Sequence, residues 1–318
     1  MAIKYLDAKR LQGTNAERTA LTINDTLGSA VDGTNNSATS DSSSPINSQN
    51  SVSFDGNDWC DDFGTTSSYA GMPTADFTIA FWLNINGAYP SGTYPDDAQY
   101  ILETSYNASN NGITLSMGSG ANDGKFFLRL CSSAEQAFND AYTNALIDED
   151  SYWHHWVFRF DNTNEELKIY KDGSDTVAQT ITYAGQITTV DSTTWQALLF
   201  GRNQDPSDID RYLKGKLSDI GIWYRLITTG ADSEVTTLFN GYDKTTATAS
   251  DNTGGKVDTI DTTSLKAYYT FDGITTGIDN SAVPVYPSLP NGTIFNETDT
   301  YKYFMWNGTD TWNQMVSS

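Results

Sequence analysis

His154 and His155 are the only histidines in the chain, and their adjacency limits what they can do. Successive side chains of a strand point to opposite faces, so the pair cannot share one ligand set. Carboxylates are plentiful, but their spacing does not suit catalysis. A retaining glycosidase needs two carboxyls about 5–5.5 Å apart. Acids alternating along one strand face would supply that pair. Asp148-Glu149-Asp150 instead precedes a strand, and Glu165-Glu166 falls in a hairpin loop. There is no Gly-x-Ser-x-Gly elbow and no phosphate loop. What the loops do carry is aromatic. Sugar rings stack on exposed aromatics while fixed polar groups take their hydroxyls. Trp59, Tyr69, Tyr89, Tyr94, Tyr106 and Trp195 sit in loops, as does Arg202-Asn203-Gln204-Asp205. Each ring alone is accounted for as satellite core beneath a long loop, but the set predicts an exposed patch. The carbohydrate-binding candidates are Trp59, Tyr89, Tyr94, Trp195, Arg202 and Asp205.

The segments that must position these loops read as strands. In Phe77-Thr78-Ile79-Ala80-Phe81-Trp82-Leu83-Asn84-Ile85, every odd position is large and apolar, the period of a strand. Tyr100–Glu103, Ile113–Met117, Lys125–Leu130, Trp153–Phe160, Leu198–Gly201 and Leu213–Tyr224 follow the same logic. Leu167-Lys168-Ile169-Tyr170 ends on Lys171-Asp172-Gly173, a hairpin turn signal. One short helix is predicted, capped by Asp232, with Val235, Leu238 and Phe239 as its apolar stripe and Asn240-Gly241 as its stop. Leu265 to Phe271 is the last strand of this body. Many short strands and one helix predict an all-β, two-sheet antiparallel sandwich.

The two ends differ in texture. Residues 1–50 are Gly/Asn/Ser-rich and predict an arm or linker. Residues 51–282 form the sandwich. Residues 283–318 start with Pro284, Pro287 and Pro290 and continue as an aromatic β-meander through Tyr301–Trp306 and Trp312. Three short strands bury too little to stand alone, so this meander is expected to dock or oligomerise.

Composition narrows the partners. The chain has 318 residues and a formal charge of −22, which disfavours nucleic acid and anionic membrane surfaces. No apolar run approaches the roughly 20 residues of a membrane span. The first ten residues hold no apolar h-region, so no secretory signal is expected. Cys60 and Cys131 either pair or remain as buried thiols.

An ordered motif series resembles the laminin-G-like, concanavalin-A-like jelly-roll family, in the branch that also resembles pentraxins. It runs from Ser53-Phe54-Asp55-Gly56 through Phe77–Trp82, Trp153-His154-His155-Trp156-Val157-Phe158, Leu167–Gly173 and Leu213–Tyr224 to Leu265–Gly273. The resemblance implies a jelly roll, with the histidine of the Trp-x-His strand as a packing residue. It also implies a structural Ca²⁺ where the first and last strands meet. The twin motifs Phe54-Asp55-Gly56 and Phe271-Asp272-Gly273 lie there, giving Asp55, Asp58 and Asp272 as ligand candidates. The alternative is that each Asp caps its own turn. Met1 to Leu21 and the tail from Pro290-Asn291-Gly292-Thr293 through Tyr301 to Trp312 resemble segments of virion structural proteins of tailed and marine viruses.

Together these readings predict a non-enzymatic protein of the virion surface, as capsid decoration or fibre, displaying a lectin-like domain toward host-surface glycans. Other virion proteins, or its own copies, would be held through residues 1–50 and 283–318. The alternatives are a microbial cell-surface or secreted carbohydrate-binding adhesin, and a divergent glycoside hydrolase.

Overall fold

The computed structural model describes residues 4–7, 10–13, 34–46, 50–63, 72, 74–85, 98–104, 112–118, 120–131, 136–148, 150, 152–188, 198–203, 211–243, 254–255, 257–261, 264–269, 294–297, 303–306 and 312–315. The strands are β1 (Lys4–Asp7), β2 (Arg10–Gly13), β3 (Thr34–Asn36), β4 (Thr39–Asp41), β5 (Ser51–Asp55), β6 (Trp59–Phe63) and β7 (Phe77–Asn84). They continue as β8 (Gln99–Glu103), β9 (Gly112–Met117), β10 (Phe126–Cys131), β11 (Gln136–Tyr142), β12 (Trp153–Asp161), β13 (Glu166–Lys171) and β14 (Gln179–Thr182). The last are β15 (Leu198–Phe200), β16 (Lys214–Trp223), β17 (Leu265–Tyr269), β18 (Ile294–Glu297), β19 (Tyr303–Trp306) and β20 (Trp312–Gln314). A single α-helix, α1 (Glu234–Phe239), interrupts them among the described residues. No helix there is long and apolar enough to cross a membrane.

The chain divides into a unit of residues 29–280 and a unit of residues 1–28 with 281–318. The larger unit is built of two antiparallel sheets. One has the order β11-β10-β9-β8-β15-β6-β3, and the other β14-β13-β12-β7-β16-β5-β4, with β17 also paired to β16. The predicted period of two decides which side chains meet between them. Phe77, Ile79, Phe81 and Leu83 of β7 enter the core with Trp156, Phe158 and Phe160 of the adjacent β12. From the facing sheet come Ile113, Leu115, Phe126, Leu128, Leu198 and Phe200. Phe81 stacks on Phe158 at 5.8 Å and Phe126 meets Phe158 edge-on at 5.2 Å. Each such aromatic pair adds about 0.5–1.5 kcal/mol beyond the burial of its area.

The opposite face of β7 is buried too. Trp82 clusters with Ile46, Trp153 and Tyr242, and Phe239 of α1 stacks on Trp82 at 5.7 Å. A helix therefore covers this outer face of the second sheet. Its N-cap is Ser233, whose Oγ accepts from the Thr236 N–H, and not the predicted Asp232. The two are adjacent, and the hydroxyl that lies three residues before the free N–H makes the bond. Asn240 ends the helix in the left-handed region, as expected.

Residues 34–46, assigned from composition to the arm, belong to the sandwich. β3 pairs with β6 and β4 with β5. Their Ser and Asn content signals loops, yet edge strands need only one neighbour and tolerate polar faces. The smaller unit is a five-stranded sheet of order β1-β2-β18-β19-β20. β2 runs parallel to β18 with Leu11 opposite Phe295, so both ends of the chain contribute to one sheet. Cys60 and Cys131 are both buried and are not joined in a disulfide.

Candidate functional site

The first sheet turns one face to the core, and the other carries the candidate site. In β6, Cys60 lies in the core, so Trp59 projects outward. β15 is followed by Gly201, whose φ of +88° suits glycine, and a Cβ there would lie 2.5 Å from Phe54 Cε1. This turn carries Arg202 back over β6. Its guanidinium carbon sits 3.9 Å from the centre of the Trp59 ring. Tyr212, on the approach to β16, packs 5.9 Å from the same ring. Trp59, Arg202 and Tyr212 are each half-buried.

Beyond Trp59 the outer face is arranged in rows set by strand register. Leu199 lies opposite Glu103, Glu103 opposite Thr114, and Thr114 opposite Arg129. A parallel row runs Tyr100, Ser116, Phe127, Tyr142. The Thr114 hydroxyl donates to Glu103 Oε1 at 3.0 Å. Arg211 Nη1 donates to the Tyr100 hydroxyl at 3.3 Å. Arg129 places its guanidinium carbon 5.5 Å from the Phe127 ring centre. The Ser116 hydroxyl is fully buried and has no hydrogen-bond partner among the described residues. Phe127 and Tyr100 are buried, so among the described rings of this face the half-buried Trp59 and Tyr212 leave surface on which a saccharide could stack.

Two of the six carbohydrate-binding candidates, Trp59 and Arg202, are thus brought into contact. Tyr89, Tyr94, Trp195 and Asp205 lie outside the described residues, as do Tyr69 and Tyr106. Sequence reasoning missed Tyr212, Arg211 and Arg129. The Arg211-Tyr212 pair directly before an apolar strand was the available signal. Arg129 was hidden inside an otherwise apolar strand.

Of the calcium candidates, Asp272 lies outside the described residues. Asp55 Oδ1 accepts from the Asn57 N–H at 2.9 Å, and Asp58 Oδ2 from the Asp55 N–H at 3.2 Å. Both carboxylates therefore cap the turn after β5. Burial pushes the Asp58 carboxyl above its ordinary value, and the Asp55 N–H partly offsets this.

A second polar cluster stands at the start of β12. His154 and His155 do face opposite ways, but His154 meets acids from two other segments. Its Nδ1 donates to Asp172 Oδ2 at 2.7 Å, and its Nε2 lies 3.1 Å from Asp150 Oδ1. Asp172 Oδ1 also accepts from the His155 N–H at 3.0 Å. Asp148, Asp150 and His154 offer ligand atoms within 4.8 Å of one another, a set of donors that suits a metal ion. Lys171 Nζ lies 2.8 Å from Asp148 Oδ2 and already brings one positive charge. Asp172 escaped notice because it reads as a turn residue, and only the β12–β13 register carries it back to His154.

Comparison with known proteins bears on the fold. The Concanavalin A-like lectin/glucanases superfamily matches residues 54–231. Among solved structures, the chain is similar to the CBM40 domain of the Ruminococcus gnavus IT-sialidase. Identity is 11%, the match covers 56% of this chain and 91% of that one, and the TM-score is 0.41. It is also similar to the heptameric SAP-like pentraxin of Limulus polyphemus, with 16% identity, 66% and 85% coverage and a TM-score of 0.37. No curated protein matches the chain.

Proposed function

The chain belongs to the concanavalin A-like lectin/glucanases superfamily, and on that premise we propose that it is a non-enzymatic carbohydrate-binding protein. Its site is the outer face of the first sheet, centred on Trp59. The observation that carries this reading is the Arg202 guanidinium 3.9 Å over the Trp59 ring, with Tyr212 beside it. The guanidinium over one face and Tyr212, tilted at 44°, hold the indole in one orientation. A non-enzymatic role fits the engagement of the acids that the sequence offers for catalysis. Asp148 is tied to Lys171, Asp150 to His154 and Glu166 to Lys168.

The biological setting we propose is display on a virion surface, toward host-surface glycans. The five-stranded sheet built from both chain ends is a separate unit, suited to anchoring on other virion proteins or further copies. Tyr303, Met305 and Met315 of that unit are exposed and offer it apolar contacts. A structural Ca²⁺ at the paired Phe-Asp-Gly motifs belongs to the same proposal, and a rise in Tm with added calcium, reversed by chelator, tests it.

Screening the full chain and its Trp59→Ala variant on a glycan array tests the carbohydrate reading. The wild type binds a defined set of glycans and the variant loses at least tenfold in affinity, for about 1.5–3 kcal/mol of stacking and burial. A wild type that binds no glycan, or a variant that binds as well, refutes it. Sugar release from a bound polysaccharide would instead establish a hydrolase.

A further inference from the structure

The saccharide reading leaves the cluster at the start of β12 unused. His154 is 4% exposed, and both of its ring nitrogens face carboxylate oxygens. Nδ1 lies 2.7 Å from Asp172 Oδ2. Nε2 lies 3.1 Å and 3.3 Å from the two oxygens of Asp150 and 3.7 Å from Asp148 Oδ2. A neutral imidazole carries one N–H, so in either tautomer one nitrogen turns a lone pair toward an anion. The shorter contact takes the hydrogen, which commits Nδ1–H to Asp172. Asp172 is itself held, because its Oδ1 accepts from the His155 N–H and its own N–H donates to the His155 carbonyl. Nε2 is left as a buried acceptor that, among the described residues, faces carboxylate oxygens. A cation placed between them removes that cost.

The spacing fits a metal ion better than a proton. A proton on Nε2 reaches Asp150 but leaves Asp148, at 3.7 Å, beyond hydrogen-bond range. Ligand atoms of a tetrahedral ion, each about 2.0–2.1 Å from it, stand about 3.3 Å apart. The three spacings from Nε2, 3.1, 3.3 and 3.7 Å, straddle that value. The donors are also held in advance. Asp150 Oδ1 accepts from the Tyr152 N–H. Lys171 Nζ holds Asp148 Oδ2 at 2.8 Å while donating to the Leu146 carbonyl. Asp172 stands to His154 as the outer carboxylate that orients a ligating imidazole. Three carboxylates and one ammonium leave a net charge of −2 around a neutral ring, which a divalent ion cancels.

We infer that Asp148, Asp150 and His154 Nε2 form a binding site for a divalent transition-metal ion of the zinc class, with Asp172 as the positioning residue behind the imidazole. One ring nitrogen with carboxylates selects such an ion over Ca²⁺ or Mg²⁺, which take oxygen ligands. The Asp148 side chain is 50% exposed, which opens the site to solvent. The site belongs to the second sheet and stands or falls independently of saccharide binding.

Calorimetric titration of the metal-free full chain with zinc chloride, in buffer holding excess Ca²⁺ and Mg²⁺, tests the proposal. One Zn²⁺ binds per chain with a Kd in the micromolar range or below, and Tm rises by several degrees. His154→Gln and Asp148→Asn each weaken binding about tenfold or more. Asp148 is an exposed side chain, so its variant keeps the metal-free Tm of the wild type and guards against misreading a folding defect. His155→Phe, on the opposite face of the strand, binds Zn²⁺ as the wild type does. Long-range ¹H–¹⁵N spectra of the two imidazoles read the ligand atom itself. On adding Zn²⁺ the His154 Nε2 resonance moves while Nδ1 keeps its hydrogen. Asp172→Asn shifts that Nδ1 resonance and weakens binding about tenfold. Binding no tighter than millimolar, or binding unchanged in His154→Gln and Asp148→Asn, would overturn the site. So would a His154 ring that stays protonated on both nitrogens in excess Zn²⁺.

Discussion

Acid should destabilise this protein in part through the buried imidazole of His155, and replacing His155 should remove that part of the effect. His155 is 2% exposed and packs 4.9 Å from the Trp82 ring. Its Nδ1 has no hydrogen-bond partner among the described residues. Burial drives its pKa from the ordinary 6.5 down to about 3, and the nearby Asp172 only partly opposes this. Between those two values the unfolded chain holds a proton that the folded chain does not. Stability therefore rises with pH across this window and is lost as pH falls below 6.5. From pH 7.5 to 5.5, one unit below the unfolded value, the loss is about 1.4 kcal/mol. His155→Phe keeps a ring of similar size against Trp82 and removes the titration. Urea unfolding of both proteins at the two pH values isolates the effect, because every other titrating group is present in both and cancels in the double difference. The wild type should lose about 1.4 kcal/mol more than the variant. Equal losses would show that His155 is not a buried neutral imidazole and would refute the packing argument.

Other perturbations test separate parts of the structure. Glu234 takes Arg225 in two hydrogen bonds of 2.7 Å and accepts from the Thr228 and Asp261 N–H groups. Burial works to raise its carboxyl, but these bonds hold it below the ordinary 4.5. Glu234→Gln should cost about 2 kcal/mol in urea unfolding at pH 7, a deficit that shrinks as pH falls below 4.5. In Gly221→Ala the new Cβ would lie 2.3 Å from Trp223 Cη2 and 2.8 Å from Val257 Cγ2. A loss of about 1–3 kcal/mol, read as a Tm lowered by several degrees, is expected. Cys60 and Cys131 should react with a thiol reagent only after denaturation, since both are fully buried. Fast reaction in native buffer would contradict their placement.

The sandwich was legible because burial imposes a period the sequence cannot hide. The alternation from Phe77 to Ile85 states which face of β7 is inward, and Trp82, out of phase by one, lies in the second cluster under α1. The pairing of β2 with β18 was not legible. Ile294-Phe295 and Arg10-Leu11 carry no mark of each other, and their contact spans nearly the whole chain. Site residues divided along the same line. Trp59 and Arg202 stood out individually as loop aromatics and loop cations, but nothing local told that residues 143 apart would stack. His154 was correctly separated from His155 by strand parity. Its partners Asp150 and Asp172 come from the flanking loop and the next hairpin, which only strand register brings close.

The central claim is that saccharide contacts the outer face of the first sheet at Trp59. Indole N–H resonances of the full chain, followed by NMR during titration with a glycan that binds, test it most directly. Trp82, Trp156 and Trp223 are fully buried and serve as internal references. The Trp59 signal should move in proportion to occupancy while those three stay in place. A glycan that binds with the Trp59 signal unmoved would contradict it.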